Sequence, residues 1–467
     1  MDVAEAIAPP EGGEAGTRIG MKEKLAYFSV NIGNIPIMTL IGSFLLIFYT
    51  DVAGLDPAAV ATMFIITRVL DGLNDPIMGY IVDHLPNTRW GRFRPYIVIG
   101  TAICGLNYIL LWLGPSMATY NKLAIAYVSY FLIGISFDLM DVPLNSLIPV
   151  MSANEKERGS LAVIKSLGYG IGGILFTIPI VPFVLAFPTQ QLGYHAVILI
   201  AVAFTIGFSA IGTAGIKERI KPVTKERYKA KDLLKIFSLT PVLGLFFTSL
   251  LGSIAGASTG ASAMYYFTYV VGDASLFSTF AIITVLLGGV GFLIAIYLIR
   301  KIGNKSIWIY GTIFTIIPVI PVLFIPPSET WWALFFLGMS RIGASFAGVV
   351  NYAMQADLMD YIEWRRGFRS EGAIASTFSF IVKAGMGIGA AIPGYIFAAT
   401  GYVPDLHPQA PLAILGINVA FIGFPLILTI LSVVCMLFLY PITKTASKQI
   451  QADLAKKREG ARSVPGA

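Results

Sequence analysis

Charged side chains occur inside the apolar segments of this chain at spacings that could bind a cation or a polar solute. The stretch RVLDGLNDPIMG, residues 68–79, carries Arg68, Asp71 and Asp75. Spacings of three and four residues place these side chains on one face of a helix. Two carboxylates one helical turn apart repel each other when both are ionised, so such a pair can bind a metal cation or share a proton.

A second pair of acids, Asp138 and Asp141, shares a face of a later apolar segment. Three more charges, all basic, lie inside other segments: Lys165, Arg341 and Lys383. A charge in hydrocarbon costs a few kcal/mol, so it normally faces a cavity or an opposite charge. These charges could be buried ion pairs that lock helices together, or they could line a polar cavity. The concentration of acids in the first half exceeds what packing requires and favours the cavity.

The elements that must position these charges are membrane helices. The chain is 56% hydrophobic and 13% charged, whereas a soluble domain carries about 25% charged residues. A membrane span needs about 20 largely apolar residues, and segments of this length read as helices because runs this long exclude barrel strands. Twelve such segments occur, at 26–50, 57–82, 95–115, 123–152, 161–186, 191–215, 240–270, 276–299, 307–325, 331–356, 372–399 and 412–441.

The basic residues predict the orientation. Most of the 33 Lys and Arg lie in the two tails or in alternate loops on one side, and the positive-inside rule puts that side in the cytosol. The net charge of +7 therefore reflects topology and does not indicate nucleic-acid binding. Residues 1–25 are expected to be a mostly disordered cytosolic tail without the pattern of a signal peptide, and residues 442–467 a second cytosolic tail.

The chain divides at its longest polar stretch between spans. Residues 216–239 form a predicted central cytosolic loop, which separates a six-helix half at 26–215 from another at 240–441. This arrangement describes the major facilitator fold, an all-α integral membrane architecture with its binding site near the midplane between two six-helix halves.

Several other motifs carry no function. GYGIGG (168–173) matches a dinucleotide fingerprint but lies inside a span with no preceding strand; its glycines instead allow close helix packing. The two cysteines and three histidines form no metal or catalytic constellation, so an enzyme is not expected. The aromatic cluster at 265–269 could line an outer mouth, but packing or an interfacial belt is the favoured interpretation.

Motifs in both halves resemble the glycoside–pentoside–hexuronide cation symporters, the family of the melibiose permease. In the first half they are FYTDVAG (48–54), RVLDGLNDPIMGYIVD (68–83), NTRWGRFRP (87–95) and MDVPLNSLIP (140–149). In the second half they are ADLMDYIEWRRGFRSEG (356–372) and KAGMGIGAAIPGYIFAATGYVP (383–404). The resemblance covers essentially the whole membrane region and implies a cation-coupled sugar carrier of the major facilitator fold.

The resemblance implies a coupling-cation site on the second helix. Asp71 and Asp75 match the cation-binding aspartates of the family, with Asn74 beside them and Asp138 at the place of a polar residue of the fourth helix. Oxygen ligands suit a hard cation such as Na⁺ or Li⁺, and a proton can substitute for it. The additional acid at 138 leaves the choice between Na⁺ and H⁺ open. No other cofactor is implied. Arg68 is expected to pair with Asp71 or Asp141 when the site is empty.

The resemblance also implies a sugar site. The family's acid and base map onto Asp141 and Lys165, and Lys383 maps onto the lysine between the cation and sugar sites. Ser379, one turn before Lys383, could add a hydroxyl. This chain departs from the galactoside carriers at the first helix, where Ile35 preceded by Asn34 aligns with an acid. It also has Asn145 where those carriers have a tryptophan.

Charges at the cytosolic ends predict a gate. Asp83 is expected to act with Arg92 in closing the second and third helices. Asp357 and Asp360 are expected to pair with basic residues of the first half, such as Arg92 or Arg158, when the carrier faces outward. The alternative is that these are solvated loop charges.

The sequence therefore predicts a secondary active transporter in the cell membrane that imports a glycoside, pentoside or uronide together with Na⁺ or H⁺. Its expected partners are the sugar, the cation and the bilayer, and it is expected to work as a monomer. A cation-coupled carrier of an amphipathic lipid, such as a lysophospholipid, is the alternative. Symport and exchange with a product are both open, and the motifs leave the sugar unnamed.

Overall fold

The computed structural model describes residues 19–83, 86, 88–152, 154–219, 239–367 and 371–462, and these ranges are almost wholly helical. The first half contains α1 (Met21–Ile47), α2 (Pro57–Asp83), α3 (Arg94–Met117), α4 (Lys122–Asn145), α5 (Glu155–Thr177) and α6 (Gln190–Gly215). The second half contains α7 (Thr240–Tyr265), α8 (Leu276–Ile302), α9 (Asn304–Val322), α10 (Thr330–Arg366), α11 (Glu371–Ala399) and α12 (Pro411–Asn418, resuming at Phe424–Leu439). A last helix, α13 (Lys444–Arg462), follows.

The helices confirm a membrane architecture. Among the described residues, eleven helical segments are long and apolar enough to cross a bilayer. The charged helix α2 has 27 residues, which corresponds to about 40 Å and also suffices to span. The described chain thus contains the twelve spans expected from the sequence, in two six-helix halves. The central loop lies mostly outside the described residues, as residues 220–238 are not among them.

Several helices extend beyond their apolar runs. Helix α1 begins at Met21, inside the segment assigned to the tail, and α10 continues to Arg366, past the predicted end at 356. Helix α13 lies in the C-terminal tail and was not predicted. Apolar runs mark the part of a helix that lies in hydrocarbon, whereas backbone hydrogen bonding continues into water beyond it.

Glycines bring the helices of each half together. A Cβ at Gly168 or Gly172 of α5 would lie within 3 Å of α1, at Asn31 or Ile35. Gly389 of α11 approaches α7 in the same way, with the carbonyl oxygen of Ile254 2.3 Å from its would-be Cβ. The small-residue spacing read from the sequence therefore marks close helix contacts.

The first helices of the two halves end in a repeated pattern. FYTDVAG (48–54) and YFTYVVG (266–272) each form a widened π-helical turn. Each turn is followed by a glycine in the left-handed region, Gly54 at φ 70° and Gly272 at φ 81°, which other residues adopt only with strain. This correspondence supports a structural repeat that relates the two halves.

On the face that carries the basic loops, called the basic face below, α3 is capped by an acid from a distant segment. The backbone N–H groups of Arg92, Phe93 and Arg94 donate to the carboxylate of Glu218 at 2.7–3.0 Å. A carboxylate at a helix N-terminus satisfies free donors and complements the helix dipole. Gly91 makes room for it, because a Cβ there would lie 2.5 Å from Glu218 Oε1.

Candidate transport site

Helix α4 presents a carboxylate, Asp141, to a cage of hydrogen-bond donors. Asn34 of α1 donates from Nδ2 to Asp141 Oδ1 at 2.7 Å, and the Tyr169 hydroxyl of α5 donates to the same oxygen at 3.0 Å. Asn145, one turn later on α4, donates to Oδ2 at 2.7 Å. Three helices of the first half thus meet at one acid.

Lys165 completes this cage on α5. Its ammonium group donates to Asn145 Oδ1 and lies 5.3 Å from the centroid of the Tyr169 ring. A carboxylate accepts hydrogen bonds and an ammonium group donates them. Asp141 and Lys165 therefore provide, side by side, the complementary groups that neighbouring sugar hydroxyls require.

Buried polar atoms of α1 beside the cage have unused hydrogen-bonding capacity. Within the described residues, the hydroxyl of Tyr27 and the amide oxygens of Asn31 and Asn34 are buried without a hydrogen-bond partner. Spacings of four and three residues place these side chains on one helix face. A buried polar atom without a partner costs about 1–3 kcal/mol, so this face favours a polar ligand or water.

A second cluster of charges lies between α2 and α4. Arg68 Nη1 lies 3.3 Å from Asp71 Oδ2, which is one of the two pairings expected from the sequence. The Asp71 carboxylate occupies space left by Gly134 of α4, whose would-be Cβ lies 2.1 Å from Asp71 Oδ1. Asn74 Nδ2 donates to Asp138 Oδ2 at 3.3 Å. The cluster offers several oxygen atoms of the kind a hard cation prefers.

Lys383 of α11 connects this cluster to the second half. Its Nζ lies 3.6 Å from Asp138 Oδ1, and the Asp138 side chain is only 10% exposed. The side chain of Arg68 packs against Gly387, one turn further along α11. The two carboxylates of α4 thus have different neighbours, since Asp138 faces α2 and α11 whereas Asp141 faces α1 and α5.

Three predicted residues take no described part in these clusters. The side chains of Asp75 and Asp83 lie outside the described parts of α2. Ser379 is exposed, one turn before Lys383. The structure brings predicted residues together in two places. The cluster around Asp138 contains Arg68, Asp71, Asn74, Asp138 and Lys383, and the cage around Asp141 contains Asn34, Asp141, Asn145 and Lys165.

The face opposite the basic loops, called the opposite face below, is closed by hydrogen bonds between the halves. Asp51, in the turn after α1, accepts from the hydroxyls of Tyr269 at 2.5 Å and Tyr402 at 2.7 Å. Thr50 and Tyr265 share a hydrogen bond of 2.7 Å. Burial raises the pKa of Tyr402, which keeps this phenol protonated and able to donate.

Further contacts extend this closure to neighbouring helices. Ser278 of α8 donates to the carbonyl oxygen of Ile178, after α5, at 2.6 Å. Thr62 of α2 and Tyr395 of α11 share a hydrogen bond of 2.9 Å. Sequence reasoning missed Asp51 and favoured packing for the tyrosines. The matched patterns at the ends of α1 and α7 were the available signal, because equivalent ends of two repeats meet on one face.

The predicted gate acids of α10 contact their own half in this structure. Asp357 accepts from Asn304 Nδ2 at 2.7 Å and from the Ser447 hydroxyl at 2.8 Å. Asp360 accepts from Gln451 Nε2 at 3.4 Å. The bonds from Ser447 and Gln451 attach α13 to α10, whereas the bond from Asn304 attaches α9. The structure is closed at the opposite face, so the pairing expected for the outward-facing state stays a prediction.

The predicted basic gate residues hold carbonyl groups of the first half. Arg92 Nη2 donates to the carbonyl oxygen of Val82, at the end of α2, at 3.2 Å. Arg158 Nε donates to the carbonyl oxygen of Ser152 at 2.7 Å, and Ser152 ends the short helix Leu147–Met151 that follows α4. Both arginines therefore stabilise helix C-terminal ends on the basic face.

Comparisons with known proteins agree with this architecture. Residues 26–444 match the family described as MFS/sugar transport protein. The isoprimeverose transporter of Lactiplantibacillus pentosus is 28% identical over 445 residues, which cover 93% of this chain and 90% of that protein. The glucuronide carrier protein homolog of Escherichia coli (strain K12) is 28% identical over 421 residues, which cover 89% of this chain and 91% of that protein.

A solved structure, that of a D-xylose-proton symporter, is similar with a TM-score of 0.64 at 14% identity, over 91% of this chain and 98% of that one. At this identity the likeness concerns the fold. The relatives confirm the resemblance drawn from the motifs, and their activities are transport and not catalysis. The chain belongs to the MFS/sugar transport protein family and is a multi-pass membrane transporter.

Proposed function

We propose that this protein is a secondary active carrier that imports a glycoside or related sugar, such as a pentoside or uronide, together with Na⁺ or H⁺. The observation that carries the proposal is the position of two polar clusters on one helix. Asp141 lies in a cage of donors from α1, α4 and α5, and Asp138, one turn earlier on α4, lies in a cluster of acids and bases with α2 and α11. Occupation of either cluster can therefore act on the other through α4.

The cage around Asp141 supports a sugar as the substrate. Its acceptor and donor groups come from α1, α4 and α5, and the face of α1 beside it has unpartnered polar atoms. The names of two relatives, an isoprimeverose transporter and a glucuronide carrier, support the same class. The dense hydrogen bonding of this cage argues against an amphipathic lipid, whose acyl chains need apolar lining.

The cluster around Asp138 supports coupling to a cation. The Lys383 ammonium group stands 3.6 Å from Asp138 and would compete with a cation bound by Asp71, Asn74, Asp75 and Asp138. Cation binding would release Lys383 toward the cage around Asp141, which lies one helical turn along α4 from Asp138. By linkage, each ligand must then tighten the binding of the other by the same factor.

Alternating access follows from the closure of the opposite face. The hydrogen bonds of Asp51 with Tyr269 and Tyr402 join the two halves there. Opening to that face must break them, while the basic face closes. We infer that the fully loaded carrier and the empty carrier switch readily between the two open states. A carrier that holds only a cation does not.

The test is ligand-dependent thermal stability of the purified protein, followed by uptake into proteoliposomes. Methyl glucoside, methyl xyloside, methyl glucuronide and lysophosphatidylcholine are each tested with and without Na⁺, at neutral and at acidic pH. A sugar that stabilises with Na⁺, and loses that dependence in Asp75→Asn, supports Na⁺ symport. A sugar whose binding depends on pH alone supports H⁺ symport. Stabilisation by lysophosphatidylcholine without any sugar would overturn the proposal.

A further inference from the structure

Arg341 of α10 is a half-buried base that neither cluster uses. Within the described part of the chain, its Nε is buried without a hydrogen-bond partner. Its guanidinium group lies 5.7 Å from the centroid of the Phe280 ring of α8. This cation–π contact compensates only part of the cost of a charge in the membrane interior. A function that requires this charge would explain its presence.

The arginine borders a cavity between the two halves. The cavity has a volume of about 360 Å³ and receives hydroxyl side chains from both halves: Ser43, Thr177, Thr259 and Thr284. The hydroxyl of Thr284, like the Nε of Arg341, is buried without a hydrogen-bond partner among the described residues. No acidic side chain lines it within the residues that the structure describes. The cavity thus combines one positive charge with hydrogen-bond donors.

The same cavity continues along α5 from the sugar cage. Gly170 and Gly173 line it, five and eight residues after Lys165 on that helix. At 1.5 Å per residue they stand about 8–12 Å further along the helix axis. A sugar held at Asp141 and Lys165 could extend one end into this cavity. Ile178 also lines the cavity, so the Ser278–Ile178 hydrogen bond lies at its border on the closed opposite face.

The charges inside the spans provide an independent argument. Four acids and four bases lie there, so their formal charges sum to zero. A bound monovalent cation alone would leave an excess of +1. A cation bound together with a monoanionic substrate would restore zero, whereas a cation with a neutral sugar would not. Unbalanced charge is disfavoured in a low-dielectric interior, so an anionic substrate would keep the charges of the predicted spans balanced in both the empty and the loaded carrier.

We propose that Arg341, with the hydroxyl of Thr284, binds the oxoanion of an acidic sugar, a carboxylate or a sulfonate, while its hydroxyls are held at Asp141 and Lys165. This inference rests on the proposed function and adds to it the substrate class and a specificity residue in the second half. Planar guanidinium groups donate parallel hydrogen bonds to such oxoanions. The bound sugar would then join the two halves directly, because its hydroxyls contact one and its anion the other.

The first test measures whether the charge of Arg341 faces the cavity, and it needs no sugar. Ser43→Cys is introduced into a Cys435→Ser background, in which the remaining native Cys104 is buried. The protein is labelled with an anionic and with a cationic methanethiosulfonate reagent. Ser43 and Arg341 line the same cavity, so the charge should raise the rate of the anionic reagent and lower that of the cationic one, and Arg341→Gln should lower the anionic-to-cationic ratio by about threefold or more. An unchanged ratio would overturn the proposal.

The second test compares three probes that differ only at C6. Methyl glucuronide carries a carboxylate there, methyl 6-deoxy-6-sulfoglucoside carries a sulfonate, and methyl glucoside carries a neutral hydroxymethyl group. The wild type should bind the two acidic probes more tightly, and their relative affinities distinguish carboxylate from sulfonate. Arg341→Gln should weaken binding of the acidic probes by about thirtyfold or more and leave methyl glucoside within about threefold, whereas Arg341→Lys should keep part of the preference. Equal binding of acidic and neutral probes by the wild type would overturn the proposal.

Controls separate a binding role from a packing role. Lys301 also lies over an aromatic ring, 4.3 Å from the centroid of Tyr297, but it is exposed outside the cavity. Lys301→Gln should change neither the labelling ratio nor the probe preference. A packing role for Arg341 predicts that Arg341→Gln lowers the ligand-free melting temperature and weakens all probes equally, which would contradict the proposal. If no sugar binds but the labelling ratio falls, the proposed function fails while the anion-binding cavity stands.

Discussion

The two halves of this carrier have matching frameworks and unequal chemistry. Both begin with a helix that ends in a π-helical turn and a left-handed glycine. The first half holds four acids and two bases within its predicted spans, whereas the second holds two bases, Arg341 and Lys383, and no acid. The repeat therefore supplies the symmetry needed for alternating access, and under the proposed function most of the ligand-binding charges lie in the first half.

This asymmetry assigns different tasks to contacts that look alike. Asp141 accepts hydrogen bonds from neighbours within the first half, whereas Asp138 contacts Asn74 of the first half and Lys383 of the second; loss of either acid should affect a ligand. Asp51 contacts tyrosines of the second half, and its loss should affect the balance between conformations. Variants that change either ligand affinity or the balance between conformations, but not both, test this difference between the contacts.

The largest effect is expected for Asp141→Asn. The carboxylate accepts hydrogen bonds from Asn34, Asn145 and Tyr169, and hydrogen bonds to a charged group contribute about 1.5–3 kcal/mol each. Losing the charge should weaken sugar affinity by about 100-fold or more and abolish uptake, as measured by ligand-dependent melting and proteoliposome transport. Asp273→Asn, in an exposed loop, is the control and should match the wild type. Affinity within about threefold of wild type would remove Asp141 from the site.

A steric variant tests the cation cluster without changing its charge. Gly134→Ala would place a Cβ 2.1 Å from Asp71 Oδ1, so the carboxylate must move. We expect the half-saturating cation concentration to rise about tenfold, or about 1.4 kcal/mol, with less change in cation-free sugar binding. Gly207→Ala is the matched control, because no atom lies within 4 Å of its would-be Cβ. Unaltered cation dependence in Gly134→Ala would separate Asp71 from coupling.

The closure at the opposite face should respond to Asp51→Ala. This change removes two hydrogen bonds between the halves, donated by Tyr269 and Tyr402, and charge-assisted bonds of this kind exceed neutral ones in strength. The labelling rate of Met264→Cys, which lines a small cavity beside Asp51, should rise about tenfold in a Cys435→Ser background. Tyr266→Phe is the control, since its ring stacks on Phe421 outside this network. An unchanged rate would mean that packing alone closes this face.

The sequence predicted most of the framework because membrane helices obey strong local rules. A segment of about 20 apolar residues must be helical in lipid, and Arg68 and Asp71 must be neighbours at a spacing of three. The helix ends in water follow no such rule, so the extension of α10 to Arg366 and the whole of α13 were not predicted. Hydropathy measures the environment of a segment and not the length of its helix.

Contacts between distant segments were the least predictable from one sequence. The resemblance brought Asp141 and Lys165 together, and the structure places both at Asn145. The bond between Asp51 and Tyr402 joins residues 351 positions apart, and the capping of α3 by Glu218 depends on the path of the chain after α6. The partners of each contact are far apart in the chain, so they meet only when distant segments have packed.

The smallest effect is expected at the basic face, where two interpretations of the α10 acids can be separated. Asp357 and Asp360 accept from Ser447 and Gln451 of α13, and the sequence predicts that they also pair with the first half in the outward-facing state. Exposed pairs contribute about 0–1 kcal/mol each, so we expect shifts of about fivefold or less in conformational balance. Asp357→Asn with Asp360→Asn removes both kinds of contact.

The matched double variant, Ser447→Ala with Gln451→Ala, removes only the bonds to α13. If the acids lock the two halves, the aspartate variant should increase the labelling, from the basic face, of a cysteine placed in the cavity between the two halves. The α13 variant should leave that labelling unchanged. If they serve only to attach α13, both variants should behave alike and free this helix for proteolysis. Equal labelling in the wild type and the aspartate variant would show that Asp357 and Asp360 do not lock the two halves together.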